Sequence, residues 1–112
     1  MGKMSRNKGK TGEREIASIL REYGYDARRG VQYHGGADSP DVVGLPGIHI
    51  EVKRTERLSL YDAMAQAIHD CGSNIPVVMH RKNNCEWVAI MRLSDFMEIY
   101  NGTELPDKEV NE

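Results

Sequence analysis

The chain has 112 residues, of which 39% are hydrophobic and 29% are charged, and these values fit one globular domain with a modest core. A formal net charge of -2 argues against a generic polyanion-binding protein. No apolar run reaches the ~20 residues of a membrane span, and no signal-peptide core follows the basic start. Cys71 and Cys85 match no CxxC pattern and the four histidines lack zinc-ligand spacing, so free thiols in a reducing, cytoplasmic compartment are expected.

The first ten residues, MGKMSRNKGK, are polar and rich in Gly and Lys, and they predict a flexible basic arm over 1–10. Residues 1–30 hold eight Lys and Arg against four Asp and Glu, whereas residues 91–112 hold two against six. A basic beginning and an acidic end fit an electrostatic footprint for nucleic acid. Basic N-terminal arms are also often solvated tails, and charge alone leaves both interpretations open.

A first helix is predicted to begin at Thr11, which suits an N-cap. Ile16, Leu20 and Tyr23 follow at helical spacing, and Gly24 is a plausible end. The next stretch, YDARRG, predicts a short strand. The stretch after it, VQYHGGADS, has two glycines and little apolar content, and it predicts a flexible loop.

Two strands, DVVG and IHIEVKR, flank the turn signal LPG and predict a hairpin. The stretch SLYDAMAQAIHDCG predicts a second helix, with Ser59 as its N-cap and Gly72 as its C-cap. IPVVMH and CEWVAIM predict strands joined by RKNN, and LSDFMEIY predicts a last helix capped by Ser94. An acidic polar tail follows over 103–112. The order α-β-β-β-α-β-β-α predicts an α/β domain with a mixed sheet.

Asp41, Glu51 and Lys53 are the charged residues of interest in the predicted hairpin. A turn centred on Pro46 places Asp41 opposite Glu51, where like charges with Cβ atoms about 4.5–5.5 Å apart are destabilising. A divalent cation between the carboxylates removes that repulsion, and Mg²⁺ or Mn²⁺ suits such oxygen ligands. Lys53 projects from the same face as Glu51 and is suited to orienting an attacking water or to offsetting phosphate charge. The alternative is a solvated pair on the wet face of the sheet.

Glu13 is a further carboxylate of interest in the first helix. On a helical wheel it lies at the edge of the stripe of Ile16, Leu20 and Tyr23, whereas Glu15 falls well outside it. A carboxylate at the border of a packed face needs a partner, and a metal-bound water would serve. A favourable position for an acidic residue in the first turn of the helix explains Glu13 equally well.

The stretch GEREIASILREYGYDARRG, followed by SPDVVGLPGIHIEVKR, resembles the PD-(D/E)XK nuclease superfamily. Within it, the sequence most resembles the small Holliday-junction-resolving enzymes of archaea and their phage-type relatives. The resemblance extends over residues 9–100. It implies a single-domain restriction-endonuclease-like fold, a mixed central sheet flanked by helices, with a nuclease domain over 11–102.

The resemblance also implies the active site and its metal. The catalytic residues it implies are Glu13, Asp41, Glu51 and Lys53. The implied ligands of Mg²⁺ or Mn²⁺ are Asp41, Glu51 and the Val52 backbone carbonyl, and Glu13 is implied to act through water. It implies hydrolysis with one or two metal ions. It further implies a homodimer whose two sites cut opposed strands of branched DNA. The Gly-rich loop before the motif departs from the family pattern, so His34 and Ser39 receive no role.

Several residues near the motifs are candidate DNA contacts. They are Arg28, Arg29, Arg54, Arg57 and, on the second helix, Gln66. Taken singly, each arginine among them is better explained as an ordinary surface cation, and the glutamine is at least as well explained as an exposed helix residue. Trp87 lies in an apolar strand, where a core or interface position is expected rather than a platform for base stacking. The apolar strands IPVVMH and CEWVAIM fit either a dimer interface or the covered centre of the sheet.

The sequence therefore predicts a metal-dependent endodeoxyribonuclease of a bacterial, archaeal or phage-infected cell that acts on branched DNA, above all on four-way junctions. A nuclease for flaps, nicks or single strands would share every catalytic residue. A DNA-binding module that has lost catalysis is a third interpretation. A metal requirement with turnover separates that module from the two nucleases.

Overall fold

The computed structural model describes residues 2–30 and 39–103. Within these residues, helices and strands follow the predicted order α-β-β-β-α-β-β-α. The elements are α1 (Gly2–Glu22), β1 (Arg28–Arg29), β2 (Val42–Val43), β3 (Ile48–Arg54), α2 (Leu60–Asp70), β4 (Ile75–Arg81), β5 (Val88–Ile90) and α3 (Leu93–Asn101).

The strands in the described part of the chain form one five-stranded sheet in the order β1-β2-β3-β4-β5. β1, β2 and β3 pair in antiparallel fashion, β4 is parallel to β3, and β5 is antiparallel to β4. α2 connects β3 to β4, because a parallel pair needs a crossover of roughly a dozen residues or more. The α/β fold with a mixed sheet that the sequence predicts is confirmed.

Helices cover both faces of this sheet. α1 packs on β1, β2 and β3, where Ile16 clusters with Ile50 and Val52. α2 packs on β3 and β4, where Met64 clusters with Val78. Since successive residues of a strand face opposite sides of the sheet, β3 directs its even-numbered side chains toward α1 and its odd-numbered side chains toward the α2 side.

The turn between β2 and β3 depends on glycine. Gly44 and Gly47 have φ values of 111° and 85°, in a region that L side chains rarely adopt. A Cβ on Gly44 would also lie 2.2 Å from the backbone oxygen of Asp26. This turn pairs Val42 with Ile50, which is the register that a turn centred on Pro46 predicts.

The start of α1 differs from the prediction. The helix begins at Gly2, well before Thr11, so the predicted N-cap at Thr11 is wrong and the described residues of the predicted arm are helical. The stretch before Thr11 contains no proline. Gly9 costs only about 1 kcal/mol relative to alanine in a helix. The stretch before Thr11 therefore has no residue that would end the helix.

The caps of the other helices lie close to the predicted positions. Ser59 is the N-cap of α2, but its side chain accepts no capping hydrogen bond from a backbone N–H, and its hydroxyl donates to the Asp62 side chain at 2.7 Å. The C-cap of α2 is Cys71. Gly72 follows with a φ of 58°, which fits the left-handed position just past a helix end. α3 begins after Arg92, so the predicted cap at Ser94 lies inside the helix.

Two predicted segments lie outside the described residues. They are residues 31–38, which contain His34, and residues 104–112 of the acidic tail. Among the helices that are described, none combines the length and the apolar character needed to span a membrane.

Candidate active site

Asp41 lies directly across the hairpin from Glu51. The register that pairs Val42 with Ile50 brings Asp41 opposite Glu51 when it is continued by one residue. The Asp41 N–H donates to the Ile50 carbonyl at 2.8 Å. Its carboxylate Oδ2 accepts the Val52 N–H, also at 2.8 Å. Both the backbone and the side chain of Asp41 are therefore fastened to β3.

The end of β1 fixes the other side of the Asp41 peptide. The Gly30 N–H donates to the Asp41 carbonyl at 2.8 Å. A Cβ on Gly30 would lie 2.1 Å from the Pro40 backbone oxygen, so this close approach requires glycine. The chain before β2 is thus held between β1 and β3, and the position of the Asp41 carboxylate is set by both strands.

The Glu51 carboxyl group is buried, with only 7% of the residue exposed. Burial, followed by the negative charge of Asp41 and a hydrogen bond to the Asp41 side chain, raises the pKa of Glu51 to about 8. The positive charge of Lys53 acts in the opposite direction. In the metal-free protein Glu51 therefore keeps its proton at neutral pH, since two adjacent carboxyl groups do not both ionise without a cation.

His49 contacts the same carboxyl group and was not singled out by the sequence. The residue is 2% exposed, and its Nε2 lies 2.8 Å from Glu51 Oε1. Burial lowers the pKa of His49, although the charges of Asp70 and Asp41 oppose that shift. The alternation of β3 places His49 on the face of Glu51, but the sequence does not show that α2 encloses that face.

Asp70 of α2 is a second residue that the sequence missed. Its side chain is buried, and its Oδ2 accepts a hydrogen bond from Gln66 Nε2 at 2.7 Å. Hydrogen bonds from His69 and then from Gln66 lower the pKa of Asp70. Its negative charge reaches both His49 and Glu51. The donor group of Gln66, a predicted DNA contact, is therefore engaged within the protein.

Lys53 lies at the end of this row of odd-numbered residues, where the site opens to a groove. The groove runs between β3 and the start of α2, and Lys53, Arg57 and Gln66 line it together with Ser59. Three of the residues predicted from the sequence, Lys53, Arg57 and Gln66, therefore share one surface, and Lys53 also faces the same side of β3 as Glu51. Positive charge at this place suits a phosphate backbone.

Glu13 lies in surroundings that differ from those of the Asp41–Glu51 pair. Its Oε1 accepts a hydrogen bond from Arg29 Nε at 2.9 Å, and the two side chains form an ion pair. α1 packs on the face of β3 that carries Ile50 and Val52, whereas Glu51 belongs to the other face. Among the contacts of the described residues, Glu13 meets Arg29 and not the Asp41–Glu51 pair. Its role through a metal-bound water stays a prediction.

The remaining arginines differ in how freely they can meet DNA. Arg28 forms an exposed ion pair with Asp26 at 3.8 Å. Arg54 is largely enclosed, and its guanidinium donates to the Asn83 side chain at 2.8 Å and to the Arg81 carbonyl at 3.4 Å. Arg54 therefore contributes to the packing of β3 against the β4–β5 turn, while Arg57 lies exposed in the groove.

The chemistry of the Asp41–Glu51 pair fits a divalent cation. Both groups are oxygen donors that hydrogen-bond to each other, and a cation between them would replace the proton they hold. Within the described ranges, no cluster of three or more His, Cys, Asp or Glu side chains suited to a metal ion is present. The pair could therefore hold a metal through two carboxylates, and further ligands of a metal in this part of the chain would be backbone oxygens or water.

Comparison with solved structures identifies the fold. The structure resembles that of Hjc, a Holliday junction resolvase from the archaeal hyperthermophile Archaeoglobus fulgidus. The TM-score is 0.56 and the sequence identity is 22%, over 75% of this chain and 72% of that chain. The fold is that of the PD-(D/E)XK nuclease superfamily, as the resemblance of the motifs predicts.

A family model for the archaeal Holliday junction resolvases (Hjc) matches residues 4–68, and the chain belongs to this family. The matched residues run from α1 into α2, and they include the Asp41–Glu51 pair and Lys53. Family membership supports nuclease activity and the resolution of branched DNA as the function. No curated protein sequence matches the chain.

Proposed function

We propose that this protein is an endonuclease that requires Mg²⁺ or Mn²⁺ and cuts four-way DNA junctions at a site built on Asp41, Glu51 and Lys53. The observation that supports this proposal most is the hydrogen bond between the buried Glu51 carboxyl group and the half-buried Asp41 side chain. A buried carboxyl group beside a second carboxylate is costly unless a proton or a cation compensates the charge. Nucleases of this superfamily generally use divalent metals, and carboxylate oxygens suit Mg²⁺ and Mn²⁺.

The residues of the hairpin would hold the metal. Asp41 and Glu51 provide one carboxylate each, and the Val52 carbonyl is the proposed backbone ligand. The Val52 N–H bonds the Asp41 carboxylate, so the Val52 backbone lies beside that ligand. Glu13 is proposed to act through water. When bound, the metal would supply charge stabilisation and a more acidic water for phosphodiester hydrolysis. The hydrogen bonds of Asp41 to β3 keep its carboxylate in place before the metal arrives.

Lys53 is proposed to act on the phosphate itself. It is half-buried beside Glu51, and its ammonium group can approach a phosphate that lies in the groove. Negative charge grows on the phosphate oxygens during attack, so a cation fixed there stabilises the transition state more than the ground state. Lys53 is therefore assigned a catalytic role rather than a simple anchoring role.

The groove beside Lys53 is the proposed path of the cleaved strand. Arg57 and Gln66 line it on the α2 side, and Arg57 offers an exposed cation for a neighbouring phosphate. Arg28 and Arg29 are proposed contacts on the β1 side, where Arg29 is held by Glu13. Contacts of this kind position DNA without reading its sequence, which suits an enzyme that recognises a branch.

A second copy of the chain is proposed to cover apolar side chains that remain exposed on β5 and α3. Val88 is 50% exposed and Leu93 is 74% exposed, and Phe96 of α3 is also exposed. β4 is central, with Val77 and Val78 buried, so the protein's own core accounts for the apolar residues of β4 but not for those of β5 and α3. A two-fold dimer would place two active sites for paired incisions.

The experiment that tests this function compares DNA branches. Labelled four-way junction, flap and linear duplex of matched sequence are incubated with the protein in Mg²⁺, in Mn²⁺ and in a chelator. The proposal expects paired cuts in the junction that need the metal, with much slower cutting of flap and duplex. Binding of the junction without cuts in either metal would indicate a DNA-binding module. Equal cutting of flap and junction would indicate a less selective nuclease.

A further inference from the structure

His49 is a buried polar residue beside the proposed metal site, and nothing in the proposed mechanism uses it. It lies two residues before Glu51 in β3, so both side chains face the same side of the sheet. Its Nε2 lies 2.8 Å from Glu51 Oε1. Pro76 is its paired residue on β4, and the charge of Asp70 reaches it from α2. The imidazole is therefore surrounded by protein on the side away from Glu51.

The hydrogen bond between His49 and Glu51 has one possible direction once a cation is bound. An ionised carboxylate only accepts hydrogen bonds. His49 must then carry a hydrogen on Nε2 and donate it to Glu51 Oε1. The bond uses one of the two oxygens of Glu51 and leaves the other for a cation. Asp41 is arranged in the same way, because its Oδ2 is taken by the Val52 N–H.

We propose that His49 is a positioning residue that fixes the orientation of the Glu51 carboxylate for metal binding by donating a hydrogen bond from Nε2 to Oε1. The proposal rests on the proposed role of Glu51 as a metal ligand. Groups that hydrogen-bond to metal ligands set their orientation, and loss of such a group typically weakens metal affinity about 10- to 100-fold. His49 therefore belongs to the metal site although it does not touch the metal.

A purely structural role for His49 makes a different prediction. Filling space beneath α2 requires only volume, and methionine supplies a similar volume without a hydrogen-bond donor. Orienting Glu51 requires a hydrogen-bond donor at the same distance from the backbone as His49 Nε2. The side-chain amide of glutamine lies at about that distance, whereas that of asparagine lies too close to the backbone. The substitutions His49→Gln, His49→Asn and His49→Met therefore separate the donor from the volume.

The test measures Mn²⁺ affinity of the full chain by the electron paramagnetic resonance signal of free Mn²⁺, with thermal unfolding as a check on the fold. We expect His49→Met and His49→Asn to weaken Mn²⁺ binding about 10- to 100-fold. His49→Gln should stay within about threefold of the original protein. At saturating Mn²⁺, junction cleavage by the weakened variants should recover most of its rate, because the metal then occupies the site. If His49→Met does not fold, the comparison of Gln with Asn decides.

Three results would overturn the inference. Normal Mn²⁺ affinity of both the Met and the Asn variants would leave His49 with a structural role alone. An equal loss in His49→Gln would show that a donor at this position is not what matters. Nitrogen hyperfine coupling between the bound Mn²⁺ and the His49 ring would make it a ligand. Unchanged Mn²⁺ affinity in Glu51→Gln would instead contradict the proposed function, so the two failures are distinguishable.

Discussion

The carboxyl groups of Asp41 and Glu51 face each other across the β2–β3 hairpin and share a hydrogen bond, with Glu51 buried and Asp41 half-buried. A small domain gains no stability from two acidic groups arranged in this way. The burial of Glu51 and the position of both groups beside Lys53 are accounted for by a cation that binds between them.

Removal of either carboxylate should abolish cleavage and spare the fold. Asp41→Asn and Glu51→Gln keep the size and the hydrogen-bonding capacity of the side chains but lose a charged metal ligand. We expect cleavage of a four-way junction to fall by more than about 100-fold, because even the loss of a group that supports a ligand costs 10- to 100-fold. Binding of the junction, measured by mobility shift, should change little. Cleavage by either variant at the original rate in saturating metal would contradict the site assignment.

Glu51 should also make the metal-free protein less stable as the pH rises. The unfolded chain releases this proton near the ordinary value of 4.5, whereas the folded protein holds it up to a pKa of about 8. The folded state binds more protons in this window, so the free energy of unfolding falls between these pH values. Glu51→Gln removes the effect.

The measurement is thermal unfolding of both proteins in a chelator at several pH values. The variant should gain stability relative to the original protein as pH rises from about 5 to about 8, reaching a few kcal/mol. A difference that does not depend on pH would show that Glu51 is not protonated in the folded state.

Lys53→Ala should reduce turnover far more than DNA binding. Its ammonium group is assigned to charge that develops in the transition state, so its loss lowers kcat, while the Kd for the junction reflects many other phosphate contacts. Lys53→Arg should recover binding but only part of kcat, because a planar guanidinium does not reproduce a compact ammonium. Single-turnover cleavage with a separate binding assay makes the comparison. Equal losses in kcat and in binding would make Lys53 a phosphate anchor.

Arg57 and Arg54 should behave differently although they are close in sequence. Arg57→Ala is expected to weaken junction binding and to lower its salt dependence by about one phosphate contact, since the side chain is exposed in the groove. Arg54→Ala should lower stability by about 1–2 kcal/mol, because its guanidinium is bonded to Asn83 and to the Arg81 carbonyl. Binding isotherms at several salt concentrations and thermal unfolding distinguish them. A reduced salt slope in Arg54→Ala would place Arg54 on the DNA.

The exposed side chains of α3 should mediate dimerisation. Phe96→Glu introduces a charge on that surface, whereas Tyr23→Glu makes the same change at an exposed aromatic residue at the end of α1. We expect sedimentation at micromolar concentration to show a dimer for the original protein and for Tyr23→Glu, and a monomer for Phe96→Glu. A dimer in Phe96→Glu would place the interface elsewhere. A monomer in the original protein, with and without a junction, would contradict the dimer itself.

Much of the fold follows from local patterns that the sequence contains. The turn centred on Pro46 predicts that Asp41 faces Glu51, and the pairing of Val42 with Ile50 confirms the register. The alternation of β3 predicts that Glu51 and Lys53 share a face. These relations depend on residues close together in the chain, where turn geometry and strand periodicity leave few alternatives.

Relations across the fold were harder to predict. The alternation of β3 also predicts that His49 shares a face with Glu51. The burial of His49 results from the position of α2, which the strand pattern does not show. The ion pair of Glu13 with Arg29 joins α1 to β1. The bond from Arg54 to Asn83 joins β3 to a turn far along the chain. Each of these contacts is set by tertiary packing, which periodicity does not specify.

Calorimetry of Mn²⁺ binding in buffers of different ionisation enthalpy tests the central claim most directly. At pH 7 Glu51 is largely protonated, because its pKa is about 8, and a metal ligand must lose its proton. The account predicts release of close to one proton for each Mn²⁺ bound at pH 7, tighter binding at higher pH, and almost no release at about pH 9.5. Binding of Mn²⁺ at pH 7 without proton release, or no binding at either pH, would contradict it.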